Sequence, residues 1–488
     1  MESRKQRSRM KRQKFTVERR KYSRLSRLNW FLWVLLLLCV ATTCFFVAYF
    51  QALQFAWLNH IIYTVSALLS VILLVLMVTK RFKWGAFILN VTGLLIFGVL
   101  LYRGYHVVTV YDKMQHNQTP LVTTMSVLVP KNSSIVTIQQ VGNENIAAPT
   151  QQDNEKVKTL ADDIQTNMHL KVGLFQTDSY LSAYKMLESE SIRGIAMNSA
   201  YASVLEKVVP TYSATVKSVY DLNIPSPTQV KPNHEAPSFN VLVSAVDSYL
   251  PVTSLGRSDV SLVVSANTQK NRALVTQTPS SAFVQIYGTP NLNMDKIAND
   301  FIFGVDNALK TSETLYDTSI QYYVRIHLEK LAQIIERLGA ISVYNDTEFS
   351  TSYGGYTFQV GQLTLNAKQA LGYMREEVVV DGVSKREQHQ LAVLSEVLKR
   401  LASFDVLMHA DSYIEQLQSA VQTNLPFKRL MALMNVLFDQ QVNVQTLQVK
   451  MHPDVQSAVL PGISLPMGEV DQNSLNTLRE NIKKVLQP

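Results

Sequence analysis

The sequence predicts an α/β protein set behind three N-terminal transmembrane helices. Three observations carry that expectation. Apolar runs fall at roughly 30–50, 56–79 and 85–102, each near the ~20 residues that cross a bilayer as a helix. Beyond them, short apolar strands alternate with amphipathic helices. Both cysteines, Cys39 and Cys44, lie in the first apolar run, so the large remainder must fold without a disulfide.

Charge orders these parts. Residues 1–28 hold 12 Lys/Arg against Glu2 and Glu18, a net +10. Residues 29–102 add Lys80, Arg81 and Lys83 and no acid. With the whole chain at +8, residues 103–488 carry −5. The large part is therefore mildly acidic, and any anion it binds must meet a local cluster of Arg or Lys. Trp30, Trp33, Trp57 and Trp84 stand at or near the run ends, where indole rings prefer the interface. The first run is too long, and the second too close behind it, for a cleavable signal peptide. The basic tail and the Lys80–Trp84 loop fall on one side, and the uncharged Gln51–Gln54 loop on the other. The positive-inside rule puts the tail in the cytoplasm and residue 104 onward outside. A cysteine-free exterior fits a Gram-positive cell surface. The tail fixes topology and touches anionic lipid. It has the charge for nucleic acid but no DNA-binding fold, so nucleic acid is not an expected partner.

The outer part divides in two. Residues 107–225 read as a small α/β domain. Its expected strands are Ser126–Val129, a short one at Val136 and Ile138, Lys171–Phe175 and Gly194–Asn198. Its expected helices are Asn154–Met168, Ser179–Ser189 and Tyr201–Lys207. A Pro-rich linker, 226–238, carries Pro227, Pro232 and Pro237. The second domain, 239–488, opens with the strand Phe239–Val246. Val260–Ser265 and Ala273–Gln277 follow, joined by the turn Asn267–Asn271. A helix is expected around Val324–Leu338, stopped by Gly339, and a strand at Ile341–Tyr344. A further helix at Asn366–Met374 has Asn366 as N-cap and Gln369 three residues on. Leu391, Leu394, Leu398 and Leu401 mark another.

No phosphate loop, HExxH or GxSxG motif appears. The candidate residues are local. Asp247 and Asp259 stand at neighbouring strand ends, where two carboxylates either hold Mg²⁺ or serve as ordinary turn acids. Arg375 closes the Asn366 helix and satisfies its dipole, if nothing else. Lys385, Arg386 and Gln388 precede the Leu391 helix, at a phosphate-binding or simply solvated helix start. Lys296 reads as a surface lysine. His327 and His389 read as structural, because no His or Cys stands at metal spacing.

These residues resemble a known family. Phe239-Asn240-Val241 with Asp247-Ser248-Tyr249, then Gly256-Arg257-Ser258-Asp259-Val260, is similar to the opening of the LytR–CpsA–Psr domain. Tyr322-Tyr323-Val324, Leu338-Gly339-Ala340-Ile341-Ser342-Val343-Tyr344 and Ala370-Leu371-Gly372-Tyr373-Met374-Arg375 continue the match. The resemblance covers about 236–488. The three-helix anchor and α/β accessory domain extend it to the form seen in streptococcal capsule loci.

The resemblance implies an extracellular, Mg²⁺-dependent phosphotransferase. Such an enzyme moves a glycan from a polyprenyl-diphosphate carrier to peptidoglycan and leaves a phosphodiester. It implies an apolar lipid pocket with Asp247, Asp259, Arg375 and Arg386 catalytic at its mouth. Asp247 and Asp259 would take the metal, and Arg257, Lys296, Arg375, Lys385, Arg386 and Gln388 the diphosphate. Membrane lipids and capsule assembly proteins are further expected partners.

The chain departs from the family pattern at several positions. Thr278-Pro279-Ser280-Ser281 stands for Ile-Pro-Arg-Asp, and Lys296-Ile297-Ala298-Asn299 for Lys-x-x-His. Arg375-Glu376-Glu377 stands for Arg-x-Arg, and Ser384 takes the place of one arginine before Lys385 and Arg386. Each lost charge-assisted contact is worth ~1.5–3 kcal/mol. Three functions follow from this pattern: polymer attachment; a weakly active or inactive relative that binds the lipid-linked polymer and regulates its assembly; and, least supported, a transcriptional role through the tail.

Protease applied to wall-stripped cells should digest residues 104–488 and spare the tail. Protection of the large part would contradict the topology.

Overall fold

The computed structural model describes residues 2–488 apart from 53, 55–56, 80–81, 117–121, 207, 226–235, 247–251, 289–293, 381–382, 402–405, 407–408, 410–412, 440–443 and 461–462. Asp247 and most of the Pro-rich linker thus lie outside the described residues. The chain forms two compact units. One is Met1–Lys113 with Ala402–Ala410 and Pro426–Gln440; the other is Met114–Leu401 with Asp411–Leu425 and Gln441–Pro488.

The first unit is helical. α1 (Glu2–Phe50), α2 (Leu58–Val78) and α3 (Lys83–His116) contain three segments long and apolar enough to span a membrane: Arg24–Phe50, Asn59–Val78 and Lys83–Asp112. Leu36, Val40, Leu73 and Phe97 form their shared core. A Cβ on Gly93 would lie 3.1 Å from Leu36 and 3.2 Å from Leu69, so the missing side chain lets three helices approach. Asn29 Nδ2 donates to the Lys83 carbonyl at 2.8 Å and ties α1 to the start of α3.

The third apolar run ends near Tyr102, but its helix continues to His116, about 20 Å further at 1.5 Å per residue. Arg103, Asp112 and Lys113 end the apolar pattern without breaking the backbone ladder. Residues 107–116, read from sequence with the accessory domain, belong to this helix. The helix Phe427–Phe438 also joins this unit. Phe427 lies 5.6 Å from the Phe50 ring and 5.4 Å from the Tyr111 ring. The Asn435 amide donates to Gln51 O at 2.7 Å, and its oxygen accepts from Gln54 N at 3.0 Å.

The second unit is α/β, as the sequence predicts. Its first sheet has the order β3-β2-β4-β1-β5, with β1 Val122–Pro130, β2 Asn145–Ala148, β3 Gly173–Gln176, β4 Ile195–Asn198 and β5 Val216–Pro225. β2 runs parallel to both neighbours, and β1 is antiparallel to β4 and β5. The helices Thr150–Met168 and Tyr180–Glu188 flank it, and Ser179 caps the second by accepting from Ser182 N.

Two expectations fail in this sheet. Ile138 is not in a strand; it opens the helical turn Ile138–Val141, which a Thr137/Gln140 capping box nucleates. β2 and β5 escape sequence reading, β2 for its brevity and β5 because it is half-exposed along its length.

A second sheet of six strands is built on β6 (Ser238–Val246), β7 (Val260–Asn267) and β8 (Arg272–Thr278), paired antiparallel in sequence. Every residue of β7 is buried, which explains its unbroken apolar run. Val421–Thr423 and Gln445–Gln448 are the sheet's edge strands. Tyr322–His327 lies parallel to β6, with His327 opposite Val246. This corrects the helix expected over Val324–Leu338: the helix is Leu328–Leu338. The helical period of Leu328, Leu331 and Ile335 starts only there, and the aromatic and β-branched residues before it prefer a pleated surface. His327 Nδ1 accepts from Lys330 N at 3.4 Å and caps the helix, so this histidine is structural. The strands Ala282–Gln285, Met294–Lys296, Met451–Leu460 and Ile463–Val470 form a third sheet.

Arg325, at the centre of Tyr322–His327, is fully buried. Its Nη1 donates to Val252 O at 3.0 Å and Ser254 O at 2.6 Å. The same segment pairs with β1 of the first sheet: Val122 N donates to Thr253 O at 2.9 Å, and Leu255 N to Val122 O at 3.0 Å. Arg325→Met keeps the volume and removes both charge-assisted bonds. It should lower the urea-unfolding free energy of the solubilised chain by about 3 kcal/mol. Unchanged stability by circular dichroism would contradict this role.

Candidate functional site

The segment Leu255–Asp259, which follows the Val252 and Ser254 carbonyls bound by Arg325, delivers the first site residues. Asp259 N donates to Ala245 O at 2.8 Å, and Ser258 N to Ala298 O at 2.8 Å. Ser258 Oγ donates to Ser244 Oγ at 3.0 Å. These bonds pin Arg257-Ser258-Asp259 to the end of β6 and to the 3₁₀ stretch Ile297–Phe303. Arg257 Nη2 lies 3.6 Å from Asp259 Oδ1, both side chains being largely buried, and Arg257 Nε is enclosed without a partner.

Lys296 leads into the 3₁₀ stretch. Its neighbour Asp295, which sequence reading did not single out, is buried. Asp295 accepts from Asn299 Nδ2 at 3.0 Å. Burial pushes the Asp295 carboxyl up to about 6, against the pull of Asn299, Lys296 and Arg257.

The second group comes from the helices Ala367–Arg375 and Arg386–Leu401. The capping box expected at Asn366 and Gln369 is present. The following helix starts at Arg386, not near Leu391, so Arg386 and Gln388 sit inside its first turn. Gln390 Nε2 donates to Met374 O at 3.1 Å and holds the two helices together. Arg375 lies over the Tyr353 ring, 5.1 Å from its centroid.

Arg386 uses both ends of its fork. Nη1 meets Glu377 Oε2 at 2.7 Å, and Nη2 donates to Ser280 Oγ at 3.1 Å. Ser280, where the resemblance leads one to expect arginine, is thus covered by the guanidinium of Arg386. Glu377, where the resemblance leads one to expect a cation, pairs with Arg386. Glu387 was missed from sequence. It is buried, and its Oε1 accepts from Ser280 N at 3.4 Å and Ser280 Oγ at 3.3 Å. Ser280 O accepts from Ala298 N at 3.3 Å and closes a chain of bonds from Arg386 to Arg257-Ser258-Asp259.

The remaining candidates stand apart from that chain. Lys385 Nζ meets Asp346 Oδ2 at 3.0 Å. Gln388 is exposed on its helix. His389 is buried between Phe349, at 4.8 Å, and Tyr373, at 4.3 Å; burial pushes its imidazole down to about 4. It is an aromatic-core residue, as expected. Among the described residues no three His, Cys, Asp or Glu gather as a metal cluster. Two guanidinium groups here are held by side chains, Arg257 by Asp259 and Arg386 by Glu377 and Ser280, the kind of group that binds an anion through a fork of donors.

The fold places the chain among α/β proteins, and comparison with known proteins narrows it. The model of the LytR_cpsA_psr family matches residues 205–484, and the chain belongs to that family. A second model, described as DNA polymerase processivity factor, matches residues 80–197. The polyisoprenyl-teichoic acid–peptidoglycan teichoic acid transferase TagU of Oceanobacillus iheyensis is 30% identical over 233 residues, 46% of this chain and 71% of that protein. The Bacillus subtilis TagU is 28% identical, over 47% of this chain and 74% of its own. The crystal structure of B. subtilis TagV aligns at 21% identity and a TM-score of 0.44, over 52% of this chain and 100% of that one.

Glu377→Gln removes the carboxylate that Arg386 now faces. Glu377 is about half exposed, so solvent screens the effect. Affinity of the full chain for inorganic pyrophosphate should rise roughly 3- to 10-fold by titration calorimetry. A fall would show that Glu377 supports the site.

Proposed function

We propose that the chain attaches a polyprenyl-diphosphate-linked surface polysaccharide to peptidoglycan by glycosyl-phosphate transfer. The observation that carries this reading is the chain of bonds from Arg257-Ser258-Asp259 through Ala298 and Ser280 to Arg386, in a domain of this family. The family's named relatives act on polyisoprenyl-linked polymers and peptidoglycan. An acceptor sugar hydroxyl would attack the phosphorus next to the glycan. The bond from that phosphorus to the bridging oxygen would break, polyprenyl monophosphate would leave, and the hydroxyl proton would pass to solvent. Arg257, Arg375 and Arg386 would hold the diphosphate and its developing charge, with Lys296 beside them. Lys385 and Gln388 would lie outside this inner group.

Asp247 and Asp259 would hold Mg²⁺, which would neutralise part of the diphosphate charge. Asp259 stands just ahead of the strand Val260–Asn267, and a metal there would have to compete with Arg257 for its carboxylate. The polymer in this reading is capsule, on the strength of the anchor and accessory domain ahead of the family domain. The chain would sit in a Gram-positive cell membrane with its tail inside and residue 104 onward outside. Membrane lipids and capsule assembly proteins would be its neighbours.

The Glu377–Arg386 pair favours a second reading of the same site. A carboxylate on the one arginine that covers Ser280 slows turnover, and the chain then binds lipid-linked polymer and regulates its assembly. Full-length chain in nanodiscs, given lipid-diphosphate-linked glycan and peptidoglycan, should yield a phosphodiester-linked product. Arg386→Ala should cut the rate about 100-fold. Ser280→Arg with Glu377→Arg, made together because groups sharing one phosphate are not additive, should raise it. Turnover indifferent to Arg386 would overturn the attachment reading.

A further inference from the structure

The loop Thr351–Tyr356 is fastened more firmly than an exposed turn requires. Thr351 N donates to Tyr356 O at 2.8 Å, and Thr351 Oγ to Tyr353 O at 2.8 Å. Tyr356 N donates back to Thr351 Oγ at 3.1 Å. Ser352 gives both its N–H, at 2.8 Å, and its hydroxyl, at 2.9 Å, to the Glu376 carboxylate. Glu376 is the residue after Arg375, so the loop is tied to the end of the arginine's own helix.

Two glycines make the turn possible. Gly354 and Gly355 have φ of 80° and 64°, in the left-handed region. A Cβ on Gly354 would also lie 2.4 Å from the Tyr356 ring. On the facing helix, a Cβ at Gly372 would lie 3.1 Å from Tyr353 O, so this glycine lets the loop backbone rest on the helix. All of this converges on one ring. Tyr353 is 43% exposed, an unusual setting for so constrained an aromatic residue, and the Arg375 guanidinium lies over it.

We infer that Tyr353 is a positioning residue for Arg375, its ring holding the guanidinium in the orientation that grips a diphosphate. An unstacked arginine must lose side-chain freedom when it binds. A guanidinium stacked on a ring has lost it beforehand, and the ring face also stabilises its charge. The inference deepens the proposed function and rests on its reading that Arg375 meets the diphosphate. It adds the aromatic support and the loop that carries it.

The test is binding of geranylgeranyl diphosphate to the full chain in nanodiscs. Tyr353→Phe and Tyr353→Trp keep the ring and should bind within about twofold of the unmodified chain. Tyr353→Leu and Tyr353→Gln remove it and should weaken binding about 3- to 10-fold. In an Arg375→Ala background the same two replacements should have no further effect, because their partner is gone. A general structural role would instead weaken binding equally in both backgrounds, and that result overturns the inference. So does a Leu or Gln variant that binds as well as the unmodified chain. If Arg375→Ala alone leaves binding unchanged, the reading of the site fails first, and the inference fails with it.

Discussion

The buried Arg325 guanidinium is the contact on which the rest of the site depends. Removing a charge from water costs several kcal/mol, and the interior returns that only through good partners. Arg325 finds two in the carbonyls of Val252 and Ser254. The segment they belong to is the one that β1 pairs with and the one that ends in Arg257-Ser258-Asp259. One side chain thus fixes the join between the two sheets and the first half of the site. The acid that interacts with it electrostatically is Asp300, also fully buried. Burial pulls the arginine down to about 10 and pushes the carboxyl up to about 8, each moving toward its neutral form. Asp300 lies in the same 3₁₀ stretch as Ala298, which binds both Ser258 and Ser280. Asp300 and the bond chain therefore share one piece of backbone.

Cations at this site are matched with acids. Arg257 has Asp259 and Arg386 has Glu377, and Lys385, outside the bond chain, has Asp346. That pattern suits a domain with net charge −5 over residues 103–488, which cannot attract a polyanion through its overall field. In the proposed function an incoming diphosphate would have to displace carboxylates from Arg257 and Arg386. The exchange is reasonable because a guanidinium fork binds both anions in the same geometry. It also links affinity directly to the identity of residue 377. Arg375 has an aromatic face beside its guanidinium.

Much of the architecture was legible in the sequence for reasons that can be named. The spans were set by apolar length, the β6–β8 meander by its apolar runs and the Asn267–Asn271 turn, and the Asn366 helix start by its capping box. Errors arose where local pattern lacked direction. The strand Tyr322–His327 runs straight into the helix Leu328–Leu338 with no glycine, proline or turn between them, so its last residues read as helix. α3 was ended at the first charges, although a helix can leave a membrane and continue. At the site, the residue types were legible and their pairings were not. Glu387 reaches Ser280 across more than a hundred residues, and Glu377 finds Arg386 because Val379–Val380 pairs antiparallel with Val383–Ser384 between them. No sequence spacing encodes such distances. Asp295 and Asp300 were passed over because burial, not identity, sets their protonation.

The central claim is that the cluster around Arg386 grips a diphosphate. It is tested most directly by ³¹P NMR of geranylgeranyl diphosphate titrated with the full-length chain in nanodiscs. The account predicts that both phosphorus resonances broaden and shift on addition of protein, and that Arg386→Ala largely abolishes the change. Resonances that stay at their free positions, or that move equally with Arg386→Ala, would contradict it.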